Sequence, residues 1–255
     1  MAFYGDLFLV PGRQGDEPAP LTDTAAVLAE QLAEEWLERA AARASSAQVQ
    51  ASARRELATM RGEAGVAQGR GVVARVAAKS LAKIRWFASV GFSFAESWVN
   101  RSLAQVTAYL TDDTIRSAAQ SSVHALIGPE TKVVIGHSLG SVVAYETLRS
   151  LDRPLPLFIT LGSPLGLETI VYPRLRPQPP RFLAAVERWV NVADRDDIVA
   201  AEPNLTNLFK EGIPAGAVFE GGYTVDNGAE PHRATFYLEK ADVGRPLGHV
   251  LSTVA

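Results

Sequence analysis

Lys132-Val133-Val134-Ile135-Gly136-His137-Ser138-Leu139-Gly140-Ser141-Val142-Val143-Ala144 is the stretch on which the reading of this chain turns. Lys132 to Ile135 is a short β-branched run and predicts a strand. From Val142 to Leu151 the residues Ala144, Leu148 and Leu151 share one helical face. Between them stands Gly136-His137-Ser138-Leu139-Gly140, directly after the strand and directly before the helix. A bare Gly-x-Ser-x-Gly also arises by chance in glycine-bearing loops, and it is the two flanking elements that give this one meaning. A serine on so sharp a turn sits in strained backbone geometry, so small residues two before and two after it are needed to avoid clashes. The same turn points Ser138 out of the strand end and aims the Leu139 backbone N–H, at the helix start, at a developing oxyanion.

Downstream, Leu157 to Leu161 reads as a second buried strand. Pro179 and Pro180 precede an expected helix over Phe182 to Arg188, and Trp189 to Ala193 forms a third strand. Residues 217 to 225 supply a last strand, and Ala234 to Val243 a closing helix. Alternating strand and helix predicts an α/β fold, a parallel sheet with helices on its faces.

Upstream the patterning is helical. Residues 3 to 10 read as a short strand ended by the turn Pro11-Gly12, and Glu17 to Pro20 as a loop. Thr22 and Asp23 offer N-caps to an amphipathic helix carrying Leu28, Leu32 and Trp36. From Ala40 to Ser80 the chain is rich in Ala, Arg, Ser and Gly, with glycines at 62, 65, 69 and 71, and a mobile or poorly specified segment is expected. Helical spacing returns at Leu103, Val106 and Leu110, then at Ile115, Ala119, Val123 and Leu126 after the caps Asp112 and Asp113. The apolar window Trp86 to Val99 is too short to span a bilayer. It reads as a buried helix or lid, with a peripheral membrane contact through Lys79, Lys83 and Arg85 as the alternative. The expected organisation is one domain: strand and turn over 1–16, a helical lid-like region over 17–128 and the sheet-bearing half over 129–255.

Composition narrows the function. Residues of hydrophobic type make up 47% of 255, enough for one sizeable core. The 28 acidic and 25 basic residues leave a formal charge of -3, which argues against a nucleic-acid partner. Without cysteine the chain has no disulfide, no thiolate nucleophile and no cysteine-held zinc. Asp6 interrupts the place where a secretory signal needs an apolar run, so a cytoplasmic location is expected. Oligomeric state is not readable from the sequence.

The stretch Val133 to Ala144 resembles the nucleophile elbow of α/β-hydrolase lipases and esterases, and Leu161-Gly-Ser-Pro-Leu-Gly166 resembles the loop after their next strand. The likeness runs from about Thr131 to Leu238. Within the superfamily, Trp189 to Val192 and Asp194 to Val199 are similar to bacterial lipase-like proteins related in motif to GPI inositol-deacylases. The resemblance implies a Ser-acid-His order, with the acid after a later strand and the base after the last one. Of Asp194, Asp196 and Asp197, the Asp-Ile-Val at 197–199 favours Asp197, with Asp194 in reserve; a solvated acidic turn or a weak metal loop is the alternative. Among four histidines, His124 falls in a helix before the serine, His137 stands beside it with its side chain expected to point away, and His249 lies near a terminus. His232, in the loop after the last strand, is the expected base. His137 and Ser163 are expected to line the substrate pocket, with a plain turn position equally open for Ser163.

The resemblance thus implies hydrolysis of a carboxylic ester, a small molecule or an acylated lipid, through an acyl-enzyme and with no metal or organic cofactor. A thioesterase, acyltransferase or peptidase would use the same triad, and a non-catalytic scaffold could retain the fold. Lipases draw a second oxyanion N–H from a loop after an early strand, often His-Gly-x. Here either Val10 to Gly15, with Gly12 as donor, stands in for that loop, or the first strands lie upstream of Met1. The second case predicts a feeble, poorly expressed esterase.

Overall fold

The computed structural model describes residues 1, 2, 4–8, 21–64, 79, 81, 92–200 and 202–252, with the side chains of 63, 64 and 92–95 excepted. Among them is a mixed α/β fold with a parallel sheet of four strands in the order β1 (Val133–His137), β2 (Leu155–Leu161), β3 (Val186–Asp194) and β4 (Val218–Val225). The helices are α1 (Asp23–Arg43), α2 (Ala47–Ala64), α3 (Phe92–Thr111), α4 (Asp113–His124), α5 (Leu139–Leu148), α6 (Thr206–Phe209), α7 (Ala234–Leu238) and α8 (Ala241–Ser252). The chain divides into two compact units, one of Met1–Ala2 with Ala119–Ala255, the other of Phe3–Ala118. Among the described residues no helix is long and apolar enough to cross a membrane.

A parallel sheet is covered on both faces, so its strands are continuously apolar. β2 fits, being buried at every residue but Pro156. Alternation then sorts the side chains. Leu157, Ile159 and Leu161 join Val190 and Val192 under Tyr237 of α7 and Val243 and Val250 of α8. On the other face, Trp189 packs its ring 4.8 to 5.9 Å, centroid to centroid, from Phe219, Phe209, Phe158, Tyr145 and Phe182. Tyr145 comes from α5, so helices cover both faces. Polar groups buried there are paired, as they must be: Trp189 Nε1 donates to Thr160 Oγ1 (3.1 Å), Thr160 Oγ1 to Asn191 Oδ1 (2.7 Å), and Asn191 Nδ2 to the Pro203 carbonyl (2.9 Å).

In the helical unit, Thr22 Oγ1 caps α1 by accepting from the Ala25 N–H at 3.3 Å. Gln50 Nε2 reaches the Ala44 carbonyl (2.8 Å), Arg54 the Ala41 carbonyl (3.1 Å), and Arg61 both Glu34 (2.7 Å) and Glu38. Those pairings run in opposite directions along the two helices, so α2 lies antiparallel on α1. Asp112 caps α4 through the Thr114 and Ile115 N–H groups, and buried Arg116 donates to the Tyr109 carbonyl at 3.1 Å while lying 5.2 Å from the Tyr109 ring centroid.

Several expectations are corrected. Gly5–Phe8 is a short 3-10 helix, not strand; Phe3 and residues 9–20 lie outside the described residues. The segment read as poorly specified contains α2, because its alanines and arginines are strong helix formers and its arginines find partners on α1; residues 65–78 lie outside the description. The helix expected over Phe182 to Arg188 is absent. β3 starts at Val186, paired with Leu155, so the end of that segment is taken into the sheet, while the Arg181 and Phe182 N–H groups go to Tyr145 Oη (3.0 Å) and the Glu211 carbonyl (2.9 Å). The closing helix is two helices, α7 and α8, the second extending to Ser252. Leu126 lies beyond the end of α4 and is exposed. The window Trp86 to Val99 is described only from Phe92, inside α3, where Val99 is buried.

Candidate active site

β1 passes into α5 through one residue, Ser138, at φ 53° and ψ −133°. It is the one non-glycine residue with positive φ among those described. Such a conformation costs an L-residue of order 1–3 kcal/mol and persists only where the surroundings enforce it. Two features do so. A Cβ on Gly136 would stand 2.5 Å from Ser141 Cα and 2.9 Å from the Gly140 carbonyl, so only glycine lets strand and helix approach this closely. Behind the turn, Ser141 Oγ lies 2.6 Å from both the Ser138 carbonyl and Ser163 Oγ, and the Leu165 N–H lies 3.2 Å from Ser163 Oγ. A carbonyl only accepts, so Ser141 donates to it and Ser163 donates to Ser141. Ser163 is buried and caps the 3-10 turn Pro164–Gly166; its hydroxyl braces the Ser138 turn from behind.

The ends of β2, β3 and β4 bring the remaining groups to the same sheet edge. The Ser138 N–H donates to the Leu161 carbonyl (3.0 Å) and the Gly162 N–H to that of Val192 (3.0 Å). Gly162 has φ 52°, and a Cβ there would lie 2.6 Å from Asp197 Oδ2, 3.1 Å from Tyr237 Cε2 and 3.2 Å from His232 Nδ1. His232 and Asp197 therefore rest on the bare backbone of Gly162, one residue past the carbonyl that holds Ser138.

His232 Nδ1 lies 2.8 Å from Asp197 Oδ2. A carboxylate only accepts, so Nδ1 carries the proton in this contact. Asp197 is fully buried at its side chain. Its other oxygen accepts from the Val199 N–H at 3.0 Å, and Tyr237 Oη donates to Oδ2 at 2.7 Å. Burial pushes the Asp197 carboxyl up, but the charge and hydrogen bond of His232 with the Tyr237 hydroxyl outweigh it and hold the group below the usual range. Tyr237 Oη also accepts from the Asp194 N–H (2.8 Å), and its own acidity is pushed down first by burial, then by Asp197.

Asp194 faces elsewhere. Its carboxylate accepts from the N–H groups of Asp196 (2.7 Å) and Asn227, tying the end of β3 to the loop that carries His232. Burial raises it to about 6. The aspartates thus diverge, and no metal-holding group of three His, Asp or Glu side chains occurs among the described residues. His137 is half-buried and turns to His232: Nε2 lies 2.8 Å from the His232 carbonyl, and the two rings stand 4.6 Å apart. His124 ends α4 and His249 sits in the last turn of α8, both exposed. Leu139 opens α5, where a first-turn N–H has no intrahelical acceptor. Gly12 lies outside the described residues.

Sequence reasoning missed Gly162, Tyr237 and Asn227. A glycine directly after a strand was a readable signal for the first; the other two act through side-chain and backbone contacts that no local pattern announces. Comparison of the chain with protein families, with curated proteins and with solved structures returns no match to any of the three.

Proposed function

We propose that the protein is a serine hydrolase of the α/β-hydrolase type acting on a carboxylic ester. The observation that carries this reading is the hydrogen bond of His232 Nδ1 to buried Asp197 at the sheet edge where Ser138 stands at positive φ. Ser138 Oγ attacks the acyl carbon and gives its proton to His232 Nε2, while the carbonyl oxygen takes up negative charge facing the Leu139 N–H. Asp197 keeps the imidazole in the working tautomer and steadies the imidazolium. Collapse expels the alcohol, which takes the proton from His232. Water then attacks the acyl-enzyme with His232 again as base, releasing the acid and restoring Ser138. No step needs a metal or organic cofactor, and both small-molecule and acylated-lipid esters fit the chemistry.

The test is covalent labelling with a fluorophosphonate alongside hydrolysis of p-nitrophenyl butyrate. Wild type labels at one site and turns over. Ser138→Ala does neither and loses about 10⁵-fold or more in turnover, with its melting temperature within a few degrees of wild type. Labelling that survives in Ser138→Ala removes the assignment, and a wild-type protein that neither labels nor hydrolyses is a scaffold retaining the fold. Ester and thioester substrates of graded chain length then identify the leaving group.

A further inference from the structure

Resting on that reading of His232, we propose that His137 is the positioning residue of the site, a neutral hydrogen-bond donor that fixes both the backbone and the ring of His232. The side chain faces the loop that carries His232. Its Nε2 sits 2.8 Å from the His232 carbonyl. Because that oxygen can only accept, Nε2 carries the hydrogen and Nδ1 is left bare, which sets the tautomer without recourse to any other partner. The ring lies against His232 at 4.6 Å between centroids with a 39° tilt, and 6.1 Å from the ring of Tyr237.

Three elements converge on His232. Asp197, after β3, accepts a hydrogen bond from its Nδ1–H; Gly162, after β2, gives it a flat seat; and His137, the last residue of β1, holds its carbonyl. Of the three, His137 alone is covalently joined to Ser138, so the serine and the base share one rigid support. A shift of base relative to nucleophile of about 1 Å costs on the order of a hundredfold in rate. A loop residue such as His232 reaches that precision only through contacts of this kind.

The chemistry also requires this donor to stay uncharged. In the step that protonates His232, a second imidazolium against its ring would oppose the developing charge. The ionisable groups facing His137 are His232, Asp197 and, by ring contact, Tyr237. Burial first, then the charge of His232, push the His137 imidazole down to about 4, so it is neutral throughout the range in which an ester hydrolase works.

The experiment compares His137→Leu, which fills the space without a donor, with His137→Gln, whose amide reaches the same carbonyl. Each is titrated with the fluorophosphonate so that turnover of p-nitrophenyl butyrate is expressed per reactive site. His137→Leu is expected to lose ten- to a hundredfold in kcat with KM little changed. In His137→Gln most of that loss is restored. A role confined to packing lowers the melting temperature while leaving kcat per titrated site in place, and that result overturns the proposal, as does a glutamine variant no better than leucine. Should leucine prove unfolded, the glutamine variant alone decides: near-native kcat supports the donor role, and a full loss overturns it. Failure of the wild type to label or turn over is a different outcome, and it overturns the hydrolase reading together with the catalytic role drawn from it.

Discussion

The helical unit and the sheet unit both bury apolar side chains, yet they handle polar groups in different ways. In the helical unit the polar side chains serve helix ends: Thr22 and Asp112 at N-termini, Arg54, Gln50 and Arg116 on terminal carbonyls, with Arg61 paired to Glu34 and Glu38 in exposed positions. In the sheet unit, by contrast, a histidine seated on a buried aspartate and tyrosine collects at one edge, where its hydrogen bonds satisfy no helix terminus. End-capping is explained by the demands of helices alone. Desolvating Asp197 beside an imidazole has no such explanation, and perturbed, paired ionisable groups of that sort mark functional sites. On the proposed reading, chemistry belongs to the sheet unit and architecture to the helical one.

The largest expected effect sharpens it. Asp197→Asn cannot accept from His232 Nδ1 and the Val199 N–H alike while keeping the Tyr237 contact, and turnover should fall roughly 10⁴-fold, as loss of the orienting carboxylate does elsewhere. Asp196→Asn should change little. Asp194→Asn should leave the tautomer of His232 intact and act on stability, costing about 1–3 kcal/mol because one of the Asp196 and Asn227 N–H groups loses its acceptor. Its signature is in pH. An acid raised to about 6 in the fold stabilises relative to neutral pH once it is protonated; that contribution is complete below about pH 4, its unfolded pKa, and is lost as pH rises through 6. The lowered Asp197 works in the opposite sense, its stabilisation fading only as pH falls below about 4. Denaturant melts from pH 4 to 7 should show the first slope in wild type and not in Asp194→Asn; a histidine uncoupled by Asp194→Asn and not by Asp197→Asn would exchange the two assignments.

Gly162→Ala comes next. The added methyl meets Asp197 Oδ2 at 2.6 Å and the backbone keeps φ 52°, so we expect on the order of a hundredfold loss in turnover with about 1–2 kcal/mol of destabilisation. Kinetics and a melt on the same preparation measure both, and unaltered kinetics would mean that the pair does not depend on that seat. The smallest effects belong to the helical unit. Arg116→Met should cost about 1–3 kcal/mol by stripping a buried donor from the Tyr109 carbonyl, and Arg61→Ala nothing measurable at physiological salt, since its ion pairs are exposed. Turnover per titrated site should be unchanged in both. A drop there would break the comparison, because it would give the helical unit a share in the chemistry.

How legible the fold was depended on how local its causes are. β2 declared itself through an apolar run interrupted only by Thr160, and α1 through Thr22 followed by Leu28, Leu32 and Trp36 at helical spacing. The expected helix over Phe182 to Arg188 failed because Val186 and Arg188 pair with Leu155, Leu157 and Val218, strand partners distant in sequence. The glycine-interrupted segment was misread over Ala47–Ala64 for a related reason. Its alanines favoured helix, but the arginine contacts to α1 that settle the matter are tertiary.

The strand-serine-helix turn is written in the sequence, since Gly136 and Gly140 leave the room that the sharp turn at Ser138 needs, and so is the alternation that makes a parallel sheet. The sequence also narrowed the candidate partners of Ser138 to a short list, three aspartates after one strand and one histidine after the next. Which aspartate meets His232, and that His137 turns inward to the His232 carbonyl while Ser163 braces the turn from behind, were decided by tertiary structure alone. Asp194 and Asp197 differ by three positions in a loop, too little for any pattern of hydrophobicity to separate, and their different fates follow from where β2, β4 and α7 place Gly162, Asn227 and Tyr237 around them. Strand and turn formation are set by forces acting over a few residues; the pairing of buried charges is set by groups that only the folded chain brings within 3 Å.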